Sequence, residues 1–310
     1  MIDDGLKVLE KCRLCPRNCL VNRLDGKSGY CGAGSGFEIA SISVHKGEEP
    51  VISGEKGICN VFFNHCNLQC IYCQNFQISR KDCRIKASSM SLENIVKTII
   101  NILNGGVESL GFVSPSHMIP QMKIIIRAVH ENGYFPYIVY NTNAYDSVEM
   151  LKDLEEWVDI YLPDFKYIDQ DLSLKWSDAA NYPEVAGMAV KEMYRQKGNT
   201  LLLNENDVAE RGLVVRHLVL PGAVNNSKGV LRYLAEEITN RITLSLMSQY
   251  HPVQDVSEIK FLKRMLRYSE YQQVIEEMEN LGFSKGWVQD HKSADFYKPD
   301  FNSESPFEYK

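Results

Sequence analysis

The sequence predicts an α/β fold, a partial (β/α)6 barrel behind a small N-terminal Cys-rich metal-binding module. Two patterns carry that expectation. Over residues 61–268, apolar strand-like runs take turns with amphipathic helical stretches, as parallel β/α units require. All nine cysteines fall between Cys12 and Cys83 and none follows. Disulfide frameworks belong to small secreted domains, so a front-loaded set in a long chain points to metal ligation instead.

The module is expected over residues 1–55. Cys12, Cys15, Cys19 and Cys31 stand among Pro16, Gly26, Gly29, Gly32 and Gly34. Four thiolates on short, turn-rich loops can close a tetrahedral shell around zinc or hold an auxiliary iron-sulfur cluster, and this spacing does not separate the two. Uncoordinated thiols are the bland alternative. Lys11, Arg13, Arg17, Arg23 and Lys27 face Asp25 alone, a run that reads as a solvated loop or as a dock for an acidic electron donor such as a flavodoxin or ferredoxin. Residues 37–44 alternate like a strand, and residues 46–50 and 53–57 read as turns.

The barrel is expected over residues 56–290. Its strands are predicted at 61–63, 110–113, 136–140, 158–162, 212–220 and 242–247. Helices are predicted at 92–103, where Ile95, Ile99, Ile100 and Leu103 share a face, and at 119–131, opened by Pro120. Others follow at 147–157, capped by Asp146 or Ser147, at 172–196 with a break near Pro183, at 226–241 and at 258–268. Right-handed crossovers assemble six such repeats into an open parallel barrel. A further helix at 271–282, a short strand at 287–289 and a polar surface tail at 291–310 complete the chain.

After the first strand comes Cys66-Asn67-Leu68-Gln69-Cys70-Ile71-Tyr72-Cys73, a CxxxCxxC spacing. One short loop can wrap these thiolates around three corners of a cubane cluster and leave the fourth iron without a protein ligand. An open iron is what a chelating substrate or cofactor needs. The alternative is a three-cysteine zinc loop completed by a residue such as His65. The loop follows a strand, which in a parallel barrel is the catalytic rim. Cys59 and Cys83 read as buried, inert thiols.

At 310 residues with 44% hydrophobic content, the chain can bury a substantial core. The absence of an apolar run of about 18 residues, together with a start unlike a signal peptide, predicts a cytoplasmic protein without a membrane partner. A net charge of -6 and a pI of 5.7 argue against nucleic acid, whose phosphates demand excess Lys and Arg.

Residues just past each strand face the site of a parallel barrel. Those positions hold Ser114-Pro115-Ser116-His117, Asn141-Thr142-Asn143, Asp164-Phe165-Lys166 and Ser248-Gln249-Tyr250-His251, with Arg216-His217 inside the fifth strand. Together they form a cradle for a zwitterionic, nucleoside-bearing cofactor. Lys166 and Arg216 suit a carboxylate, while Asn141, Asn143 and Asp164 suit ribose hydroxyls or an amine.

The aromatic Tyr72 before the last cysteine, and the placement of the motif, resemble the radical S-adenosylmethionine (radical SAM) superfamily. With Asn141-Thr142-Asn143, Asp164-Phe165-Lys166, Arg216 before Leu220-Pro221-Gly222, and Tyr250-His251, the chain from Cys66 to His251 resembles the pyruvate formate-lyase activating enzyme group, in a subgroup with an extra N-terminal cysteine motif. That resemblance implies a 4Fe-4S cluster on Cys66, Cys70 and Cys73, S-adenosylmethionine chelating its free iron, and Tyr72 near the adenine. It also implies that Asn141, Asn143, Asp164, Lys166, Arg216 and His251 line the cofactor or substrate. Two positions depart from the group. Ser114-Pro115-Ser116 replaces its glycine-glycine-glutamate stretch, and Asn141 replaces its aspartate.

The implied activity is reductive cleavage of S-adenosylmethionine to a 5'-deoxyadenosyl radical that abstracts hydrogen from a substrate, an oxidoreductase reaction. By analogy to glycyl-radical activation the target is a residue of a partner protein. Radical modification of a small molecule or peptide is the alternative, and a non-catalytic iron-sulfur electron carrier is a third reading.

Overall fold

The computed structural model describes residues 4–82, 88–253, 256, 259–295, 298–303 and 306–307. Cys83 lies outside the described residues. After a 3-10 helix (Asp4–Lys11) and a stretch of loops come β1 (Glu38–His45), the one-turn helix α1 (Pro50–Ser53), β2 (Ile58–Phe63), α2 (Phe76–Ser79), β3 (Ser88–Ser89), α3 (Leu92–Leu103), β4 (Ser109–Val113), α4 (Ile119–Glu131) and β5 (Tyr137–Thr142). The chain continues through α5 (Val148–Asp153), β6 (Ile160–Pro163), α6 (Gln170–Ser177), α7 (Tyr182–Lys197), β7 (Leu202–Leu203), β8 (Ala209–Leu218), α8 (Val224–Leu234), β9 (Thr243–Met247), α9 (Tyr268–Asn280) and β10 (Gly286–Val288).

One sheet organises the molecule, in the order β10-β9-β8-β6-β5-β4-β2-β1-β3. Every pair from β10 to β2 is parallel, and β1 joins β2 and β3 antiparallel. The strands of all six expected repeats are present, and short β10 adds one more parallel strand. β10 and β3 end the sheet without pairing with each other, so the barrel is partial and open between them.

Local chemistry sets the helix ends. Ser91 caps α3 by accepting the backbone N–H of Asn94. Pro120 sits in the first turn of α4, where its missing donor costs nothing. The helical stretch expected across 172–196 divides as Pro183 demands: α6 ends at Asp178 in a left-handed conformation, and Pro183 enters the first turn of α7.

The two faces of the strands differ in kind. Side chains alternate along a strand, and the outward residues of β2, β5, β6, β8 and β9 (Val61, Tyr140, Tyr161, Val215 and Leu246 among them) join one large core with the helices. On the inner face, Ile58, Val139, Ile160, Leu162 and Val214 pack with Ile52 of α1, which fills the barrel. Toward the C-terminal ends of the strands the inner positions turn polar, with Asn60, Asn141, Arg216 and Ser245, followed by Asp164 just beyond β6.

Three expectations are corrected. The helix predicted at 258–268 does not form: residue 258 lies outside the described residues, and 260–263 form a turn. Glu270 decides where α9 starts, because its carboxylate takes both Arg264 Nη1 (2.6 Å) and Nη2 (2.7 Å) and the backbone N–H of Arg267 (3.1 Å). The helix expected at 226–241 closes its regular part at Leu234 and ends in a wider π turn, Ala235–Thr239. The tail is not merely surface, since Phe301 is buried and Phe301 and Phe307 pack on Phe62 of β2, an apolar inner-face residue that would otherwise meet water.

His217 alternates outward from Arg216 and is a packing residue. Its Nδ1–H donates to Phe165 O (2.7 Å) and its Nε2 accepts from Ser227 Oγ (2.9 Å). Burial pushes its pKa down to about 4. An unfolded imidazole titrates at about 6.5, so between those values the unfolded chain binds a proton that the folded one refuses. This contribution is full above the unfolded value and falls as pH drops toward the folded one. Going from about pH 7 to about pH 4.5 is expected to cost about 2 kcal/mol through this residue. The unfolding free energy of His217→Gln, measured by urea titration, should lose that much less on acidification than that of wild type.

Candidate active site

At the C-terminal ends of the strands lies a cavity of about 200 Å³. The loop after β2 turns sharply at His65, which takes a positive φ of 69°, and delivers Cys66, Cys70 and Cys73 to the cavity wall. Each sulfur has a donor aimed at it. Cys66 Sγ accepts from Asn143 Nδ2 (3.3 Å) and Leu68 N (3.4 Å), Cys70 Sγ from Ser177 Oγ (2.9 Å), and Cys73 Sγ from Ser79 Oγ (3.2 Å).

Burial pushes the Cys66 thiol up to about 12 and the Cys70 thiol up to about 11. Such buried sulfurs become thiolates when a metal supplies the compensating charge. Among the described residues no three His, Cys, Asp or Glu side chains are placed to hold a single metal ion. A cubane takes one thiolate per iron, so its cysteines stand further apart than the ligands of one ion. Three sulfurs on one cavity wall, each with a hydrogen-bond donor, fit that group. His65 does not complete a zinc loop: its Nδ1 meets Arg80 O (3.1 Å), its Nε2 meets Glu38 (3.4 Å), and it does not line the cavity.

The polar inner layer supplies the opposite wall. Arg216 is its hub, donating from Nε to Asp164 Oδ1 (2.8 Å), from Nη1 to Glu48 Oε2 (2.8 Å) and from Nη2 to Asn141 Oδ1 (2.7 Å). Lys166 Nζ reaches the other Asp164 oxygen at 2.8 Å. Burial alone would raise the Asp164 pKa, but Arg216 and Lys166 outweigh it and hold it low. Burial likewise opposes the charge on Lys166, and Asp164 and the Cys70 sulfur outweigh it and raise its pKa.

Most of the expected cofactor residues converge here. Tyr72, Ser114, Asn141, Asn143, Asp164, Lys166 and Arg216 line the cavity with the three cysteines. Tyr72 stands in an aromatic nest with Tyr167, Trp176 and Tyr250, and its hydroxyl accepts from Tyr167 (2.7 Å). Ser114 holds a left-handed conformation and donates its N–H to Asn141 O (2.7 Å). His251 is the exception. It does not line the cavity, its backbone carbonyl accepts from Gln74 (3.1 Å), burial pushes its pKa down to about 4, and Gln249 takes the place at the wall.

Glu48 was hidden from sequence reasoning because it sits in a segment that reads only as a turn. Asn60, which holds Glu48 at 3.2 Å, was detectable from the two-residue period of β2. Gly111 on β4 lacks a side chain where Asn60 lies, and a Cβ there would collide with it.

The four N-terminal cysteines share a separate cavity of about 10 Å³, which Cys12, Cys15, Cys19 and Cys31 line together with Arg23 and His117. Burial pushes Cys15 up to about 12 and raises Cys31. Two of the five basic residues nearby turn inward. Arg23 is buried and donates to His117 O (2.6 Å) and Gly34 O (2.8 Å), and Arg17 donates to Asn67 O (3.0 Å) and Asp178 O (2.6 Å). Lys11, Arg13 and Lys27 stay exposed. Cys59 is a buried thiol on the outward face of β2, pushed up to about 12 by burial. No helix among the described residues is long and apolar enough to cross a membrane.

Comparison with known proteins adds three findings. A family model described as the radical SAM superfamily matches residues 60–222. An uncharacterized protein of Methanocaldococcus jannaschii, MJ0674, is 25% identical over 280 residues, covering 89% of this chain and 76% of that one. Two crystal structures of HydG, a maturase of the FeFe-hydrogenase, share the fold at 14% identity. One has a TM-score of 0.51 and covers 74% of this chain; the other, from Carboxydothermus hydrogenoformans, has a TM-score of 0.52 and covers 77%. The matched part spans only 50% and 55% of those two chains.

Proposed function

From the premise that this chain belongs to the radical SAM superfamily, we propose that it is a pyruvate formate-lyase activating enzyme-like member whose target is a glycyl residue of a partner protein. Superfamily membership supports S-adenosylmethionine-dependent radical chemistry at a 4Fe-4S cluster. The bound cluster and cofactor would supply the chemistry: one electron splits the sulfonium into methionine and a 5'-deoxyadenosyl radical, which takes a hydrogen from the target.

The observation that carries this reading is that Cys66, Cys70 and Cys73 share one cavity with the polar inner layer of the barrel. The three cysteines would hold the cluster. Lys166 Nζ, with Asp164 as its one hydrogen-bond partner among the described residues, keeps donors for the cofactor's carboxylate. Arg216 has Nε, Nη1 and Nη2 committed to Asp164, Glu48 and Asn141, so it would act by positioning those three acceptors. Tyr72 would close the adenine side, where the aromatic nest excludes water.

Anaerobic reconstitution with iron and sulfide, followed by reduction and addition of S-adenosylmethionine, is expected to yield 5'-deoxyadenosine, and a radical signal should appear on the co-expressed partner. Fully loaded, reduced protein that forms no product would sink the proposal. For the N-terminal cysteines we propose a closed four-thiolate site for zinc or an auxiliary iron-sulfur cluster, because Cys12, Cys15, Cys19 and Cys31 line one small cavity. About four irons and one zinc per chain would assign zinc there; about eight irons and no zinc would assign a second cluster.

A further inference from the structure

A second cavity, of about 220 Å³, lies beside the first and shares Gly47, Glu48, Arg216, Met247 and Gln249 with it. Its remaining wall includes Glu49, Ser245 and Trp287. Arg216, Ser245 and Trp287 stand level on β8, β9 and β10, the strands nearest the open edge of the sheet. Nothing in the proposed handling of the cluster and S-adenosylmethionine uses this space.

Glu49 is the unexplained group there. Its side chain lines the cavity and is only 8% exposed, and its Oε2 has no hydrogen-bond partner among the described residues. Its carboxyl meets Ser245, and burial raises its pKa against the opposing pull of Arg216; a buried acid with one oxygen unpartnered has a cation as its natural complement, which would hold it ionised. Arg216 stands close by, but its bonds run to Glu48, Asp164 and Asn141. Lys166 is engaged with Asp164. Across the two cavities three acidic side chains, Glu48, Glu49 and Asp164, stand with two cations, Arg216 and Lys166, and Glu49 is the one without an ion-pair partner among the described residues. Trp287 adds an aromatic face, which attracts ammonium and guanidinium groups.

From this juxtaposition we infer that the second cavity is the substrate pocket and that it binds an ammonium or guanidinium group, held by Glu49 against Trp287, beside the hydrogen to be abstracted. The inference rests on the radical SAM reading of the first cavity. The cation belongs either to a basic side chain of a peptide segment or to a small amine, and the recognition chemistry is the same for both.

The test uses full-length protein reconstituted anaerobically with iron and sulfide and saturated with S-adenosylmethionine. It is titrated calorimetrically with n-butylammonium and with 1-butanol, a charged and a neutral probe of nearly the same shape. The charged probe is expected to bind tighter by on the order of tenfold or more, the worth of one charge-assisted hydrogen bond. Glu49→Gln should bring that ratio close to one, and Trp287→Leu should lower it. Equal binding of the two probes to wild type, absence of binding by both, or a preference that survives Glu49→Gln overturns the inference. If Glu49→Gln does not fold, the wild-type ratio and Trp287→Leu decide.

A second arm compares a blocked Gly-Lys-Gly peptide with its norleucine counterpart. A larger charge preference in the peptides than in the butyl pair assigns the cation to a protein segment, and a preference confined to the butyl pair assigns it to a small amine. The same samples, reduced and without any amine, report whether S-adenosylmethionine perturbs the cluster's EPR spectrum. That signal fails only if the radical SAM reading itself is wrong.

Discussion

Arg216→Met is expected to destabilise the protein by about 3–5 kcal/mol, the cost of removing one partner from a buried ion network. The side chains of Arg216 and Glu48 are each 10% exposed, and that of Asp164 is 21% exposed. Methionine fills similar space but leaves Glu48 without its 2.8 Å partner and Asp164 with Lys166 alone. Arg216→Lys keeps a charge but cannot reach three acceptors in one plane, so it should lose less than methionine and more than nothing. Chemical denaturation of the two variants beside wild type measures this. A loss below about 1 kcal/mol for methionine would show that the three acceptors do not depend on the guanidinium.

Cys70→Ala is expected to abolish stable iron and sulfide incorporation in the loop and to lower 5'-deoxyadenosine formation by roughly three orders of magnitude or more, as removal of an essential catalytic group does. Cys59→Ala, on the outward face of β2 and away from the cavity, should keep wild-type iron and sulfide content. Ser177→Ala gives a finer readout. It removes the 2.9 Å donor to Cys70 Sγ, and a cluster with one hydrogen bond fewer to its sulfur ligands should reduce at a more negative potential in an EPR-monitored titration. Cys70→Ala protein that retained full iron and product formation would remove Cys70 from the ligand set.

The parallel barrel was legible because its signals are local. The helices over 92–103 and 119–131 have the bounds the apolar period and Pro120 imply, and Pro183 divides α6 from α7 at the expected place. The CxxxCxxC loop was legible for the same reason, since its ligand residues lie within eight positions of chain. The missed helix at 258–268 shows the limit. Apolar spacing there satisfies a helical period, and the start of α9 is set instead by Glu270 gathering Arg264 and the Arg267 N–H. His251 shows it again, because position after a strand does not decide which neighbouring side chain reaches the wall.

By itself the sequence determined the α/β class, the order of strands and helices, and the three sulfurs of the Cys66–Cys73 loop. All of these follow from residues near each other along the chain. Only the tertiary structure decided that Glu48 joins Arg216 across 168 residues, that Glu49 Oε2 is buried without a hydrogen-bond partner among the described residues, that Arg17 and Arg23 turn inward, and that Phe307 folds back on Phe62. Each of these depends on charge and apolar surface matched between distant segments. Such matching has no period along the chain, and it appears only when the sheet brings the ends of its strands to one rim.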